Sequence, residues 1–176
     1  MKIVLIGFMG TGKSAVGCRL AERLGLSFVD VDDAIEEAAG MAIPEIFASE
    51  GESGFRRRER DLIASLATRR DCVIATGGGA VLDPENFRNL RAGARTVCLQ
   101  AEPTVILGRI GADAQRPLLQ TPDRLGRIRE LLEQRAPAYG QADLAVETSG
   151  SDVEEIVDRI VRHFRLEPAG TQGAGR

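Results

Sequence analysis

Four short apolar runs punctuate the chain, "KIVLI" at 2–6, "LSFVDV" at 26–31, "CVIAT" at 72–76 and "RTVCLQ" at 95–100, with a weaker fifth, "LAVET", at 144–148. Stretches with helical spacing fall between them, and this strand–helix rhythm predicts a parallel sheet covered by helices on both faces. The first helix is expected from Gly12 to Leu24, because Val16, Leu20 and Leu24 form one apolar stripe and Gly25 follows as a stop. Further helices are expected around 32–39, 44–49, 54–70, 84–92, 103–110, 123–136 and 152–165. No internal repeat is present.

Two segments stand outside this rhythm. One is a helical insertion at about 32–70, and the other is "GADAQRPLLQTPD" at 111–123, rich in charge, glycine and proline but without periodicity. Ligands of open α/β sheets sit beyond the carboxyl ends of the strands, so insertions there are candidate substrate and lid elements. The last stretch, 166–176, lacks apolar periodicity and reads as a disordered tail.

With 176 residues, 43% of them hydrophobic, the chain has the size of one domain with a substantial core, assigned to 1–165. A net charge of -3 and an aromatic content of 4% argue against a nucleic-acid protein, which would need a basic surface and stacking platforms. The spacing of Cys18, Cys72 and Cys98 fits neither a disulfide framework nor a zinc site, so all three are expected to be buried, reduced thiols. His163, the one histidine, is expected on a helix surface without a role. No apolar run reaches the ~20 residues that cross a bilayer, and the chain starts directly into a strand, so a cytoplasmic setting with no membrane partner is the expectation.

"GFMGTGKS", Gly7 to Ser14, matches G-x-x-x-x-G-K-[ST] at every specified position, between a predicted strand and a predicted helix. Its glycines let successive amides and the helix N-terminus face phosphates. Lys13 is expected to reach the β and γ phosphates and the Ser14 hydroxyl to hold magnesium. No guanine signature appears and the chain is small for a motor, so a small kinase is the leading reading.

"FVDVDD" puts Asp30 and Asp32 at alternate positions as a strand ends, hence on one face. If that strand neighbours the phosphate loop's strand, one carboxylate can order magnesium's waters and the other orient a hydroxyl; helix capping explains both equally well. Asp33, on the opposite face, reads as a cap. In "GESGFRRRER" four arginines occupy 56–60. With Phe55 at zero, Glu59 lies at about 40° and Arg56 at about 100° on the apolar half defined by Leu62, Ile63, Leu66 and Ala67. Arg57 and Arg58 share the outer half and read as solvated, and Arg60 is marginal. An inward Arg56 braced by Glu59 is either a structural ion pair or a clamp for a second carboxylate.

In order and near spacing, "GFMGTGKS", "FVDVDD", "IFASEGESGFRRRE", "ATGGGAV", "RPLL" and "QRAPAY" make residues 1–165 resemble the shikimate kinases. The resemblance implies a three-layer α/β/α P-loop NTPase with a five-stranded parallel sheet, similar to nucleoside monophosphate kinases. It also implies transfer of the γ-phosphoryl group of ATP, with Mg2+, to the 3-hydroxyl of shikimate. By the same resemblance Gly10, Thr11, Gly12, Lys13, Ser14 and Ala15 bind the triphosphate, Ser14 ligates the metal and Asp30 holds it through water. Asp32 holds the acceptor hydroxyl; Arg56 and Arg135 grip the carboxylate; Glu59 braces Arg56; Gly77, Gly78 and Gly79 offer backbone amides. Arg109 lies against the adenine, and Arg116, in the lid, neutralises charge on the transferring group.

Two positions depart from the family's usual pattern: Ala15 replaces a more common threonine, and "ETSGSD" lacks an arginine that some members carry near the adenine. Another small-molecule kinase, for gluconate or a nucleoside monophosphate, would share Lys13 and the lid arginine but does not account for the substrate blocks. An inert nucleotide-gated module would be expected to lack a charged site residue, and none is missing. No apolar stripe is left over for a partner, so a monomer is expected.

Overall fold

The structure is a computed structural model that describes residues 1–111, 119 and 121–168. Five parallel strands form the sheet: β1 (Lys2–Ile6), β2 (Ser27–Asp30), β3 (Cys72–Ala75), β4 (Arg95–Gln100) and β5 (Leu144–Glu147), in the order β2-β3-β1-β4-β5. The helices are α1 (Lys13–Leu24), α2 (Val31–Ala39), α3 (Ile43–Leu66), α4 (Pro84–Arg91), α5 (Pro103–Ile110), α6 (Arg124–Tyr139) and α7 (Val153–Phe164), with a 3₁₀ turn at Ala80–Leu82.

Every side chain of β1 is buried, and the strand's two-residue period divides them between two cores. Val4 and Ile6 join Ile46, Phe55, Ile63, Ile106 and Ile128 under α2 to α6. Ile3 and Leu5 join Val16, Leu20, Leu24, Ile156 and Ile160 under α1 and α7. Burial on both faces is why the strands read as continuous apolar runs rather than as alternating ones.

Several expectations need correction. The phosphate loop's strand, β1, is flanked by β3 and β4, so β2 is not its neighbour. β2 ends at Asp30, and Asp32 lies in the first turn of α2; a helix start and not strand alternation places the two carboxylates. The cap of α2 is Asp30, whose Oδ1 accepts from the Asp32 amide at 3.0 Å, while Asp33 is exposed and caps nothing. Cys18 is exposed, because α1 turns it away from the stripe of Val16, Leu20 and Leu24; Cys72 and Cys98 are buried as expected. His163 is on the surface of α7. Leu166 belongs to the core and not to a tail, at 7% exposure with its amide bonded to the Val161 carbonyl.

The two helices expected around 44–49 and 54–70 form one run, α3, bent at Gly51 with φ 70° and ψ -179°. Arg58 spans the bend. Its guanidinium donates to both carboxylate oxygens of Glu50 at 2.6 to 3.2 Å, so it is a paired residue and not a solvated one. Backbone of that shape is open almost only to glycine, and Gly51→Ala is expected to destabilise the fold by ~1–3 kcal/mol. A lower urea midpoint with an unchanged denaturant slope is the readout.

Candidate active site

The carboxyl ends of β1, β2 and β3 open on the same edge of the sheet, and the proposed site residues gather there. β1 runs into Gly7–Ser14, which wraps the start of α1. Gly12, at φ 91°, is the N-cap without a capping side chain, and no acidic residue occupies the first turn. The first turn of α1 thus carries neither a side-chain cap nor an acidic residue of its own, and its positive end suits a multiply charged anion. Lys13 is buried, its Nζ donating to the Phe8 carbonyl at 2.8 Å, and the Thr11 hydroxyl donates to the same oxygen at 2.8 Å. Ser14 and Ala15 are exposed at the mouth.

Asp30 serves two elements at once. One oxygen caps α2, and the other accepts from the Ser14 hydroxyl at 2.6 Å. The alternatives left open by sequence, cap or metal-side carboxylate, are thus both compatible with this one side chain. Ser14 and Asp30 offer hard oxygen donors, and no group of three or more His, Cys, Asp or Glu able to hold a metal occurs among the described residues. Such a set suits Mg2+, which keeps several waters and takes ligands from phosphates, better than a metal that needs a protein cage.

On the other side of the mouth four charged side chains surround Gly77–Gly79, the loop that leaves β3. A Cβ on Gly77 would stand 2.7 Å from Asp32 Oδ1 and 3.2 Å from Glu59 Oε1. One on Gly78 would stand 3.2 Å from Arg135 Nη1, and one on Gly79 2.9 Å from Arg56 Nη2. The three glycines are there because the loop passes within contact of all four groups.

Arg56 Nη1 donates to Glu59 Oε2 at 2.7 Å and Nη2 to Glu52 Oε1 at 3.4 Å, with the guanidinium over the Phe55 ring. Glu59 is 1% exposed, so the helical phase located this pair correctly. Burial pushes the Glu59 carboxyl above the usual range, opposed by Arg56 and Arg135. Burial also works to lower the Arg56 pKa, and Glu59 and Glu52 outweigh it, so the guanidinium stays firmly charged.

Arg135, on α6, is 4% exposed, lies over the Phe8 ring at 5.2 Å and has a buried Nη1 with no hydrogen-bond partner. A buried guanidinium with an open donor, next to a second one braced by carboxylates, is a ready receptor for a carboxylate. Arg57 is exposed, and Arg60 pairs with Asp83 at 3.1 Å.

At the far side of the phosphate loop, Arg109 donates to the Gly10 carbonyl at 3.3 Å and to Thr148 Oγ1 and O at 2.9 and 2.8 Å. It thus joins the loop to "ETSGSD". Arg116 lies outside the described residues. Sequence reasoning missed Glu52, four residues before Arg56, and Tyr139, four residues after Arg135. The i,i+4 spacing was the available signal for both. Tyr139 lies beyond the helix expected around 123–136, because α6 continues through Pro137 to Tyr139.

The chain matches the shikimate kinase family model over residues 9–165. It is 46% identical to the shikimate kinase of Thermodesulfovibrio yellowstonii over 162 residues, covering 92% of this chain and 94% of that one. It is also 46% identical to that of Symbiobacterium thermophilum over 176 residues, covering 98% and 100%. Among solved structures, the shikimate kinase from Acinetobacter baumannii in complex with shikimate superposes with a TM-score of 0.90 at 38% identity, covering 93% of this chain and 92% of that one. Likeness in sequence and in shape over nearly the whole chain shows that it belongs to the shikimate kinase family.

Proposed function

We propose that this protein transfers the γ-phosphoryl group of ATP to the 3-hydroxyl of shikimate, giving shikimate 3-phosphate and ADP, a step of aromatic amino acid biosynthesis. The observation that carries this is the convergence of Asp32, Arg56 and Arg135 on Gly77–Gly79, directly beside the Gly7–Ser14 loop. Residues 1–165 act as one kinase domain, with 32–70 as the acceptor-binding insertion and 111–123 as the lid.

Gly10 to Ala15 bind the triphosphate through the α1 N-terminus, and Lys13 moves its Nζ from the Phe8 carbonyl to the phosphates. Ser14 would hold Mg2+ directly and Asp30 would hold it through water; when bound, the ion supplies charge neutralisation at the phosphate oxygens. Arg109 flanks the adenine. Arg56 and Arg135 fix the shikimate carboxylate, the amides of Gly77–Gly79 take its other oxygens, and Asp32 orients the 3-hydroxyl toward the γ-phosphorus. As the hydroxyl oxygen bonds to phosphorus, its proton passes to Asp32 and the bond to the ADP oxygen breaks. Arg116 completes the neutralisation. Enclosure of both substrates keeps water from the phosphoryl group.

Leu82 is the only exposed large hydrophobic residue among the described ones, which supports a monomer, and three free thiols suit a reducing cytoplasm. ADP release from Mg-ATP, followed with shikimate, gluconate or AMP as acceptor, tests the reading. Release that depends on shikimate is expected, whereas release only with another acceptor would overturn the substrate assignment.

The clamp has its own test. Arg56→Lys keeps a charge beside Glu59 but removes the fork, and it is expected to weaken shikimate binding by ~10-fold or more. ATP affinity should stay near that of the wild type, and equal loss of both affinities would remove Arg56 from the clamp.

A further inference from the structure

Four successive carbonyls along the Gly77–Gly79 loop and its exit are each taken up by a donor. The Ala80 amide donates to the Gly77 carbonyl at 3.2 Å and the Leu82 amide to that of Gly79 at 3.1 Å. The alternate two are met by side chains: Tyr139 donates its hydroxyl proton to the Gly78 carbonyl at 2.7 Å, and Asn86 Nδ2 donates to the Ala80 carbonyl at 3.2 Å. No hydrogen bond from the amides of Gly77, Gly78 or Gly79 is found among the described residues. The loop therefore has its acceptors satisfied and its donors on offer.

Neither side chain is a surface accident. Tyr139 is 6% exposed and Asn86 1% exposed, and Asn86 Oδ1 is buried without a partner, an expensive way to hold one amide nitrogen in place. They come from helices on either side of the loop. Tyr139 stands one turn after Arg135 on α6, and burial raises its hydroxyl pKa against the opposing charge of Arg135. Asn86 sits in the first turn of α4, whose cap, Asp83, also pairs with Arg60 of α3. With three glycines in a row the loop has little rigidity of its own, so its shape has to be imposed from outside.

We infer that Tyr139 and Asn86 are a pair of positioning residues that hold the glycine loop by alternate carbonyls, so that its amides meet the acceptor in a fixed geometry and in register with Arg135. Neither is proposed to touch the acceptor; Asn86 acts through the loop, and Tyr139 through the loop and through its side-chain interaction with Arg135. The inference rests on the reading of Gly77–Gly79 as the acceptor loop.

Tyr139→Phe removes one oxygen and Asn86→Ala removes the amide. Each is expected to raise the calorimetric Kd of shikimate by about three- to tenfold, the range of one net hydrogen bond, with the Kd of ATP unchanged. Asn86→Asp, isosteric but unable to donate when ionised, should reproduce the Asn86→Ala shift. The double variant should depart from the product of the single effects, because both residues restrain one loop. Thermal stability is followed in parallel. A fall in melting temperature with the shikimate Kd unchanged, or an equal rise in both dissociation constants, would overturn the pairing role and leave ordinary core residues. If the wild-type protein itself fails to bind or turn over shikimate, the functional reading falls; if it binds and the variants bind as well as it does, only this inference falls.

Discussion

Asp32→Asn is expected to lower kcat by ~10²–10⁴, the range for losing a positioned proton acceptor. The substitution is close to isosteric, and the cap of α2 survives it because that bond uses the Asp32 amide and an Asp30 oxygen. What disappears is a negative carboxylate beside the glycine loop, the group proposed to orient the 3-hydroxyl and take its proton. Steady-state kinetics should show the loss in kcat and kcat/KM alike, with the far-ultraviolet spectrum and ATP binding retained. A variant that turns over at near the wild-type rate would remove Asp32 from the mechanism and leave orientation to Arg56, Arg135 and the loop amides.

Lys13→Met is the second large effect, an expected loss of ~10²–10³ in kcat, comparable with removing one charge-stabilising donor from a preorganised site. The Phe8 carbonyl at the start of the loop keeps other donors when this lysine is replaced. The Phe8 carbonyl that Lys13 contacts also accepts from the Thr11 hydroxyl and amide, at 2.8 and 3.4 Å. Methionine fills the buried volume with nearly the same length and no charge. Shikimate binding without nucleotide should therefore be preserved, while the chemical step slows. Parallel loss of both would mean that Lys13 supports the fold and not the transferring group.

How far the sequence carried these assignments differs from one residue to the next. The phosphate loop was legible because strand, loop and helix are contiguous and each residue's task follows from local geometry. Arg56 and Glu59 were legible because a helix has one phase, and the apolar residues around them set it. Asp32 was singled out for a partly wrong reason: alternation along a strand was invoked where a helix N-terminus does the placing, and the condition that β2 neighbour the phosphate loop's strand is not met. Arg135 came only from resemblance, since nothing local says that α6 returns across the sheet to face β3. Tyr139 and Asn86 had no signal beyond spacing, because a side chain that binds a distant carbonyl leaves no pattern in its own segment.

The strand order also decides how damage elsewhere in the molecule will be felt. β3 lies between β2 and β1, and Lys2 aligns with Cys72, so the three strand ends that carry the site come together only when distant parts of the chain have paired. Loop closure of that kind is slow and costs entropy that local contacts do not repay. A partly folded chain consequently lacks the cluster of Asp32, Arg56, Arg135 and Gly77–Gly79, whatever becomes of the contiguous phosphate loop. Variants that weaken the sheet or its helices should reduce the amount of active enzyme while each surviving molecule keeps its ordinary KM values. Either substrate, by binding only the assembled sheet, should rescue them by mass action.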